Sequence, residues 1–200
     1  MLIKKLLPAL LIVGFIVMFD SCSLAHLHGS GRVVSEDRSV YDFTGIVLDG
    51  AGNVNIHSSE YFTVMVTTDS NIQDNITTKV RDGFLYIDEK SFRSIHPTKL
   101  VIDVYLPELT CVKLRGAGNI KVNGGNNSDF EIILSGAGNI DARNFEAGNV
   151  SIILSGAGDI KTWATNSLTG KLSGVGSIMY RGDPPVKNIQ KTGVGNIGKI

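Results

Sequence analysis

The chain is poor in the residues that announce chemistry. Two cysteines in 200 residues, Cys22 and Cys111, cannot build a disulfide framework. Four histidines stand at 26, 28, 57 and 96, and only His26 and His28 are close in sequence. Lys and Arg number 19 and so do Asp and Glu, so the formal net charge is zero. No basic run or stripe occurs, which removes the electrostatic basis for nucleic-acid binding. No segment is apolar for the ~20 residues that a spanning helix needs. The longest uncharged stretch is Leu6–Phe19, fourteen residues at the extreme N-terminus.

That stretch follows Lys4 and Lys5, and the pair reads as a charged n-region and an apolar h-region of an export signal. Two processing sites follow. Ser21-Cys22 resembles a lipobox, in which Cys22 receives the lipid, although Phe19 and Asp20 depart from the usual Leu and small residue. Ser23-Leu24-Ala25 also fits the small-x-small rule, and cleavage there would release an unanchored chain. Lipidation accounts for an isolated cysteine at the end of an h-region. Ser23–Arg32 is short, polar and Gly-containing and reads as a tether. The expected organisation is a signal over 1–25, a tether over 26–38 and one domain over 39–200.

Within that domain a string Gly-x-Gly-polar-[Ile/Val] occurs six times. The glycine pairs are Gly50 and Gly52, Gly116 and Gly118, Gly136 and Gly138, Gly156 and Gly158, Gly174 and Gly176, and Gly193 and Gly195. The last five copies are spaced by 20, 20, 18 and 19 residues. The polar residue is Asn53, Asn119, Asn139, Asp159, Ser177 and Asn196 in turn. Apolar residues alternate on both sides: Leu48, Leu114, Leu134, Leu154 and Leu172 two before the first glycine, and Val54, Ile120, Ile140, Ile160, Ile178 and Ile197 four after it. This is the period of a strand with one buried face, so each copy reads as strand, tight turn, strand. Ala or Val between the glycines forms a further small apolar column.

One such unit cannot bury its own inner face, but stacked units can. The expected fold is therefore all-β, a right-handed parallel β-helix of 18–20-residue rungs. The glycines permit positive φ and close approach between rungs. The Asn column would form an amide ladder along the axis. Lys191 and Lys199 replace apolar residues in the last copy, as expected of a terminal rung. The 66 residues between the first and second copies carry no Gly-x-Gly, and Arg81-Asp82-Gly83 signals a hairpin there. This irregular N-terminal β portion either completes the stack or packs a small sheet on it. Ile133 and Ile153, apolar in an otherwise outward column, favour a covering sheet.

Other motifs are by-products. Gly193-Val194-Gly195-Asn196-Ile197-Gly198 fits a dinucleotide fingerprint, but the helix that must follow has no room before Ile200. A calcium cage needs more carboxylates than Asp159 alone supplies in the polar column. Arg181-Gly182-Asp183 is a short surface motif that a turn explains. Trp163 and Tyr180 suggest a sugar-stacking platform, with Tyr180 in an inner column. Cys111, among strand-like Val112 and Leu114, reads as a buried structural thiol. No acidic pair aligns in the outward columns, where Lys121, Asp141 and Lys161 alternate in sign, so no catalytic residue, cofactor or metal is assigned.

Phe43-Thr44-Gly45-Ile46 before the first repeat, Asn71–Ile87 with its ending Asp82-Gly83-Phe84-Leu85-Tyr86-Ile87, and Leu106-Pro107-Glu108-Leu109 resemble the head GIN domain of auto-transporter adhesins. So do Gly118-Asn119-Ile120, Gly138-Asn139-Ile140 and Gly195-Asn196-Ile197. The resemblance spans about residues 40–197. It implies a right-handed β-helical fold and an envelope or surface location, often as a lipoprotein, and it brings no catalytic residues. The expectation is a non-enzymatic envelope lipoprotein, an adhesin or binding scaffold, held to the outer membrane by a lipid on Cys22 and facing the periplasm or the cell surface. The alternatives are a carbohydrate-binding or carbohydrate-active protein and a soluble periplasmic accessory to signalling or assembly. An envelope protein or a glycan is the expected class of partner.

Overall fold

A computed structural model describes residues 26–90 and 94–200. The segment expected to be an export signal and Cys22 lie outside them. The described chain is all-β. Its strands are β1 (Leu27–His28), β2 (Val33–Arg38), β3 (Gly45–Leu48), β4 (Ala51–Ser58), β5 (Thr63–Asp69), β6 (Ile76–Arg81), β7 (Phe84–Glu89), β8 (Ile95–His96) and β9 (Leu100–Leu106) in the first half. The second half holds β10 (Cys111–Leu114), β11 (Ala117–Asn123), β12 (Asn126–Leu134), β13 (Ala137–Leu154), β14 (Ile160–Leu172), β15 (Ile178–Arg181), β16 (Val186–Lys191) and β17 (Ile197–Lys199). A single 3-10 turn, Gln73–Asn75, interrupts them. β1 and β8 form a two-stranded sheet, and the other fifteen strands form one sheet.

The repeat dictates the pairing. Residues one repeat apart are direct neighbours in parallel ladders: Val112 faces Ile132, Ile132 faces Ile152, and Leu134 faces Leu154. On the other side of the glycines Val54, Ile120, Ile140, Ile160, Ile178 and Ile197 follow one another. One ladder thus runs β3, β10, β12, the end of β13, the end of β14, β16. The other runs β4, β11, the start of β13, the start of β14, β15, β17. β13 and β14 pass from one ladder to the other around the variable corner, with register shifts between Ala142 and Asn149. The alternating aliphatic residues of both ladders meet in one core cluster, in which Leu48, Leu114, Leu134, Leu154, Ile140 and Ile160 are fully buried. A one-residue slip would turn every one of them outward, so the pattern fixes the register.

The long segment between the first two copies completes the ladders instead of covering them. β7 adds to β3 and β9 adds to β4, both in parallel. Antiparallel strands then close the edge: β6 on β7, β5 on β9, and β2 on β5. The hairpin at Asp82 and Gly83 is present, with φ of 51° and 74°. The covering sheet expected over Ile133 and Ile153 is not found: Ile153 is 39% exposed, in a row with Lys113, Ile133 and Lys171. Strand propensity of the β-branched side chain accounts for these residues.

Residues 26–38 are a second correction. They do not form a free tether. β1 pairs with β8, and β2 lies along the whole of β5. Most of β2 is exposed, because an edge strand of Ser, Glu, Asp and Arg is polar on both faces. That polarity made it read as a linker.

Candidate functional site

The most regular surface feature is the glycine corner. In each copy the second glycine takes a positive φ, 134° at Gly138, where an L side chain is strained. The first glycine is required by space. A Cβ on Gly136 would fall on the carbonyl oxygen of Gly116, and one on Gly138 would fall on that of Gly118. Successive corners can approach only if both positions lack a side chain. The residue between them points out: Ala137 is exposed, and Val175 and Val194 are 60% and 70% exposed. The small apolar column is therefore a surface stripe outside the core.

Next to the stripe stands the polar column. Asn119 Nδ2 donates to Asn53 Oδ1 at 2.9 Å, and Asn139 Nδ2 donates to Asn119 Oδ1 at 3.0 Å. Asp159 has no amide hydrogens in its side chain, and the chain of bonds passes to the backbone there. The Asp159 backbone N–H donates to Asn139 Oδ1 at 3.1 Å, and that of Ser177 to Asp159 Oδ1 at 2.8 Å. Asn196 joins the column through its carbonyl, which accepts from the Ile178 N–H at 2.8 Å. Below this column Lys121, Asp141 and Lys161 complete the wall of a shallow groove of about 360 Å³. Asp141 is gripped by the Arg143 guanidinium at 2.5 Å, which holds its carboxyl below the usual range, with Lys161 adding to the effect.

A second polar row, on the other ladder, is absent from the sequence reading. Asn149 Nδ2 donates to Asp129 Oδ1 at 3.0 Å, while Asn166 Nδ2 and Ser167 Oγ both donate to Asn149 Oδ1, at 2.8 and 2.9 Å. Hydrogen bonds from Ser128 and then Asn149 lower the Asp129 carboxyl. Asp129, Asn149 and Ser167 each stand seven residues before a repeat glycine, and tabulating that column would have revealed the row.

Trp163 and Tyr180 do not form a joint platform. Tyr180 packs inward against the core. Trp163 is half-buried at the variable corner, beside a recess of about 440 Å³ lined by Asn126, Asn127, Ser128 and Glu146. The Arg181 guanidinium lies 4.4 Å from its ring centre. Cys111 is buried, its Sγ donates to Glu131 Oε2 at 3.0 Å, and burial, followed by that carboxylate, pushes its pKa upward. This agrees with a structural thiol.

Comparison with known proteins follows the same lines. The family described as "Putative auto-transporter adhesin, head GIN domain" matches residues 42–134 and 112–184. The chain belongs to this family. A solved structure of a putative adhesin from Bacteroides fragilis is 24% identical, with a TM-score of 0.60 over 87% of this chain and all of that one. A putative cell adhesion protein from Clostridium sporogenes is 19% identical, with a TM-score of 0.52 over 84% of this chain and 99% of that one. Both likenesses are of fold. No match is found among curated proteins.

In this head GIN domain the Arg181-Gly182-Asp183 corner is tied down: Asp183 lies 3.3 Å from Lys187 and 3.6 Å from Lys199. The histidines are the clearest departure from the sequence reading. His26 and His28, assigned to a tether, meet His96 in space. The signal was the alternation His26-x-His28, which places both rings on one side of any extended segment.

Proposed function

We propose that this head GIN domain is a non-enzymatic, envelope-anchored binding scaffold, an adhesin module built on a right-handed parallel β-helix and tethered through lipidated Cys22. The carrying observation is the in-register stacking of the glycine corners. It aligns identical polar groups at the ~4.8 Å strand repeat on a wall that needs no ordering before it binds. A preorganised periodic wall suits a partner with its own repeat, such as a glycan chain or an extended polypeptide. One outer row alternates Lys121, Asp141 and Lys161, and Asp141 is already engaged by Arg143, which suits binding better than general acid–base work.

The test is mass spectrometry of the mature N-terminus, combined with crosslinking in intact envelopes. The reading expects a lipid-modified Cys22 and crosslinks from lysines of the wall, Lys121 and Lys161. An unmodified chain beginning at His26 would remove the anchor, and turnover of a polysaccharide by the purified domain would remove the scaffold.

Trp163 favours a carbohydrate as the partner. Its half-buried ring beside Asn126, Asn127, Ser128 and Glu146 joins an apolar face to hydroxyl-binding groups. Quenching of the lone tryptophan by oligosaccharides would support that choice, and an unchanged emission would turn it toward a polypeptide.

A further inference from the structure

We propose that His26, His28 and His96 form a binding site for a first-row divalent transition-metal ion. The site follows from strand geometry. β1 and β8 run parallel with Leu27 opposite Ile95 and His28 opposite His96. Leu27 and Ile95 pack against the core, so the residues that alternate with them face outward. Three imidazoles therefore crowd one side of a two-stranded ribbon, all exposed.

Their spacing suits a shared cation. His26 Nδ1 and His96 Nε2 are 3.2 Å apart. Two nitrogens bound to tetrahedral zinc at 2.0–2.1 Å are separated by about 3.3 Å. The His28 ring lies on that of His96 with centroids 5.0 Å apart, and the His26 centroid is 5.3 Å from His96. Among the described residues no three His, Cys, Asp or Glu side chains already converge on one point, so His28 must turn about its side-chain torsions to complete the set. Imidazole nitrogen selects zinc, copper, nickel or iron over magnesium and calcium.

The backbone under the rings is held in place independently of any ion. Leu27 N–H donates to the Ser94 carbonyl and Gly29 N–H to that of His96, both at 2.9 Å. Asn71 Nδ2 donates to the His28 carbonyl at 2.8 Å, and Asn71 Oδ1 accepts from the Ser30 N–H at 2.9 Å. Buried Asp69 accepts from the Gly31 N–H at 2.7 Å, the Thr98 N–H at 2.7 Å and Thr98 Oγ1 at 2.6 Å. Asp69 thus ties the two histidine-carrying segments together, and Asn71 holds the first of them. Such support keeps the ordering cost of metal binding low.

The test is calorimetric titration of the untagged full chain, in a mild detergent, with Zn²⁺. The expected result is one ion per chain and a melting temperature that rises with zinc. His96→Asn and His28→Asn should each lose roughly 10–100-fold or more in affinity, with unchanged circular dichroism. His57→Asn should bind as wild type, because His57 stacks on Tyr105 in the other ladder. No saturable binding, full affinity in either of the first two variants, or an equal loss in His57→Asn would overturn the site.

Discussion

The stack from Cys111 to Lys199 and the cap from Leu27 to Leu106 extend the same two ladders, yet they are held by different means. In the stack each copy repeats its neighbour, pairing is parallel, and the inner columns are aliphatic with few exceptions, Thr162 among them. In the cap the outer strands β2, β5 and β6 pair antiparallel, and polar side chains go inside. Asp69, Thr68 and Gln73 are buried there, with Gln73 Nε2 donating to the Val34 and Val66 carbonyls at 2.9 Å each and Arg38 reaching the Gln73 carbonyl at 3.0 Å. A parallel array leaves a row of unpaired backbone groups on its last strand, and at this end that strand is covered by antiparallel ones, with polar β2 and β6 at the edges. The cap reverses strand direction there, and polar contacts at single positions accompany the reversal. The stack therefore tolerates repetition and the cap does not.

The largest effect should come from a charge in the stack's core. Ile140 is fully buried between Ile120 and Ile160, where its own burial contributes at most about 1.5–3 kcal/mol. Ile140→Asp adds an unpaired buried carboxylate and should abolish folding, whereas Lys199→Ala, at an exposed terminal position, should be near neutral in thermal melts. Equal stability of the two would remove the difference between interior and terminal rungs.

Gly138→Val comes next. It combines positive-φ strain with a Cβ placed on the Gly118 carbonyl, and it should cost several kcal/mol, on the order of 3 or more. Ala137→Val, one residue away and exposed, should stay within about 0.5 kcal/mol. Read from sequence as a packing position, Ala137 would be expected to cost about 1–3 kcal/mol by overpacking. Denaturant melts of the two variants distinguish these expectations.

Acid should loosen the cap at a named position. Hydrogen bonds, that of the Thr98 side chain foremost, hold the Asp69 carboxyl below its ordinary value. A depressed carboxylate contributes stability above its unfolded pKa of about 3.9, and that contribution is lost as pH falls through the lower folded value. Protection from hydrogen exchange, relative to the intrinsic rate at each pH, should therefore fall in acid at Gly31 and Thr98, and Asp69→Asn should show the same loosening at neutral pH. Unchanged exchange at these amides would mean that the buried carboxylate does not hold the cap.

The smallest effect is a gain. Thr162 occupies the inner column of Val122 and Ala142 and is fully buried, with no hydrogen-bond partner for its hydroxyl. Thr162→Val should stabilise the stack by about 1 kcal/mol in a denaturant melt. A loss instead would indicate that the hydroxyl is satisfied by an ordered water.

The repeat made the stack legible. Columns read at fixed offsets from the glycines named its core residues, its exposed terminal lysines and the Asn119–Asn139 neighbours before any coordinates. The cap was legible only where a local signal existed, as at Asp82-Gly83. β2 pairs with β5 over thirty or so residues of intervening chain, and β1 with β8 over nearly seventy, with no repeat to mark either partner. The meeting of His28 with His96 depends on that second pairing, so it could not be read from residues 26–38 alone. Column reading also says which positions share a face but not which face is wet, and that is why Ala137 and Ile153 were misplaced.

The central claim is that residues one repeat apart are nearest neighbours in adjacent strands, and paired cysteines test it most directly. In a Cys22→Ser, Cys111→Ser background, Ala117→Cys with Ala137→Cys occupies adjacent exposed positions of one column, and Ala117→Cys with Ala157→Cys skips a rung. Adjacent strands lie about 4.8 Å apart, within the Cα separation of about 4.4–6.8 Å that a disulfide spans, and alternate strands lie about twice as far apart. Mild oxidation should close the first pair within the monomer and leave the second open. Closure of the second pair, or of neither, would contradict the stacked arrangement.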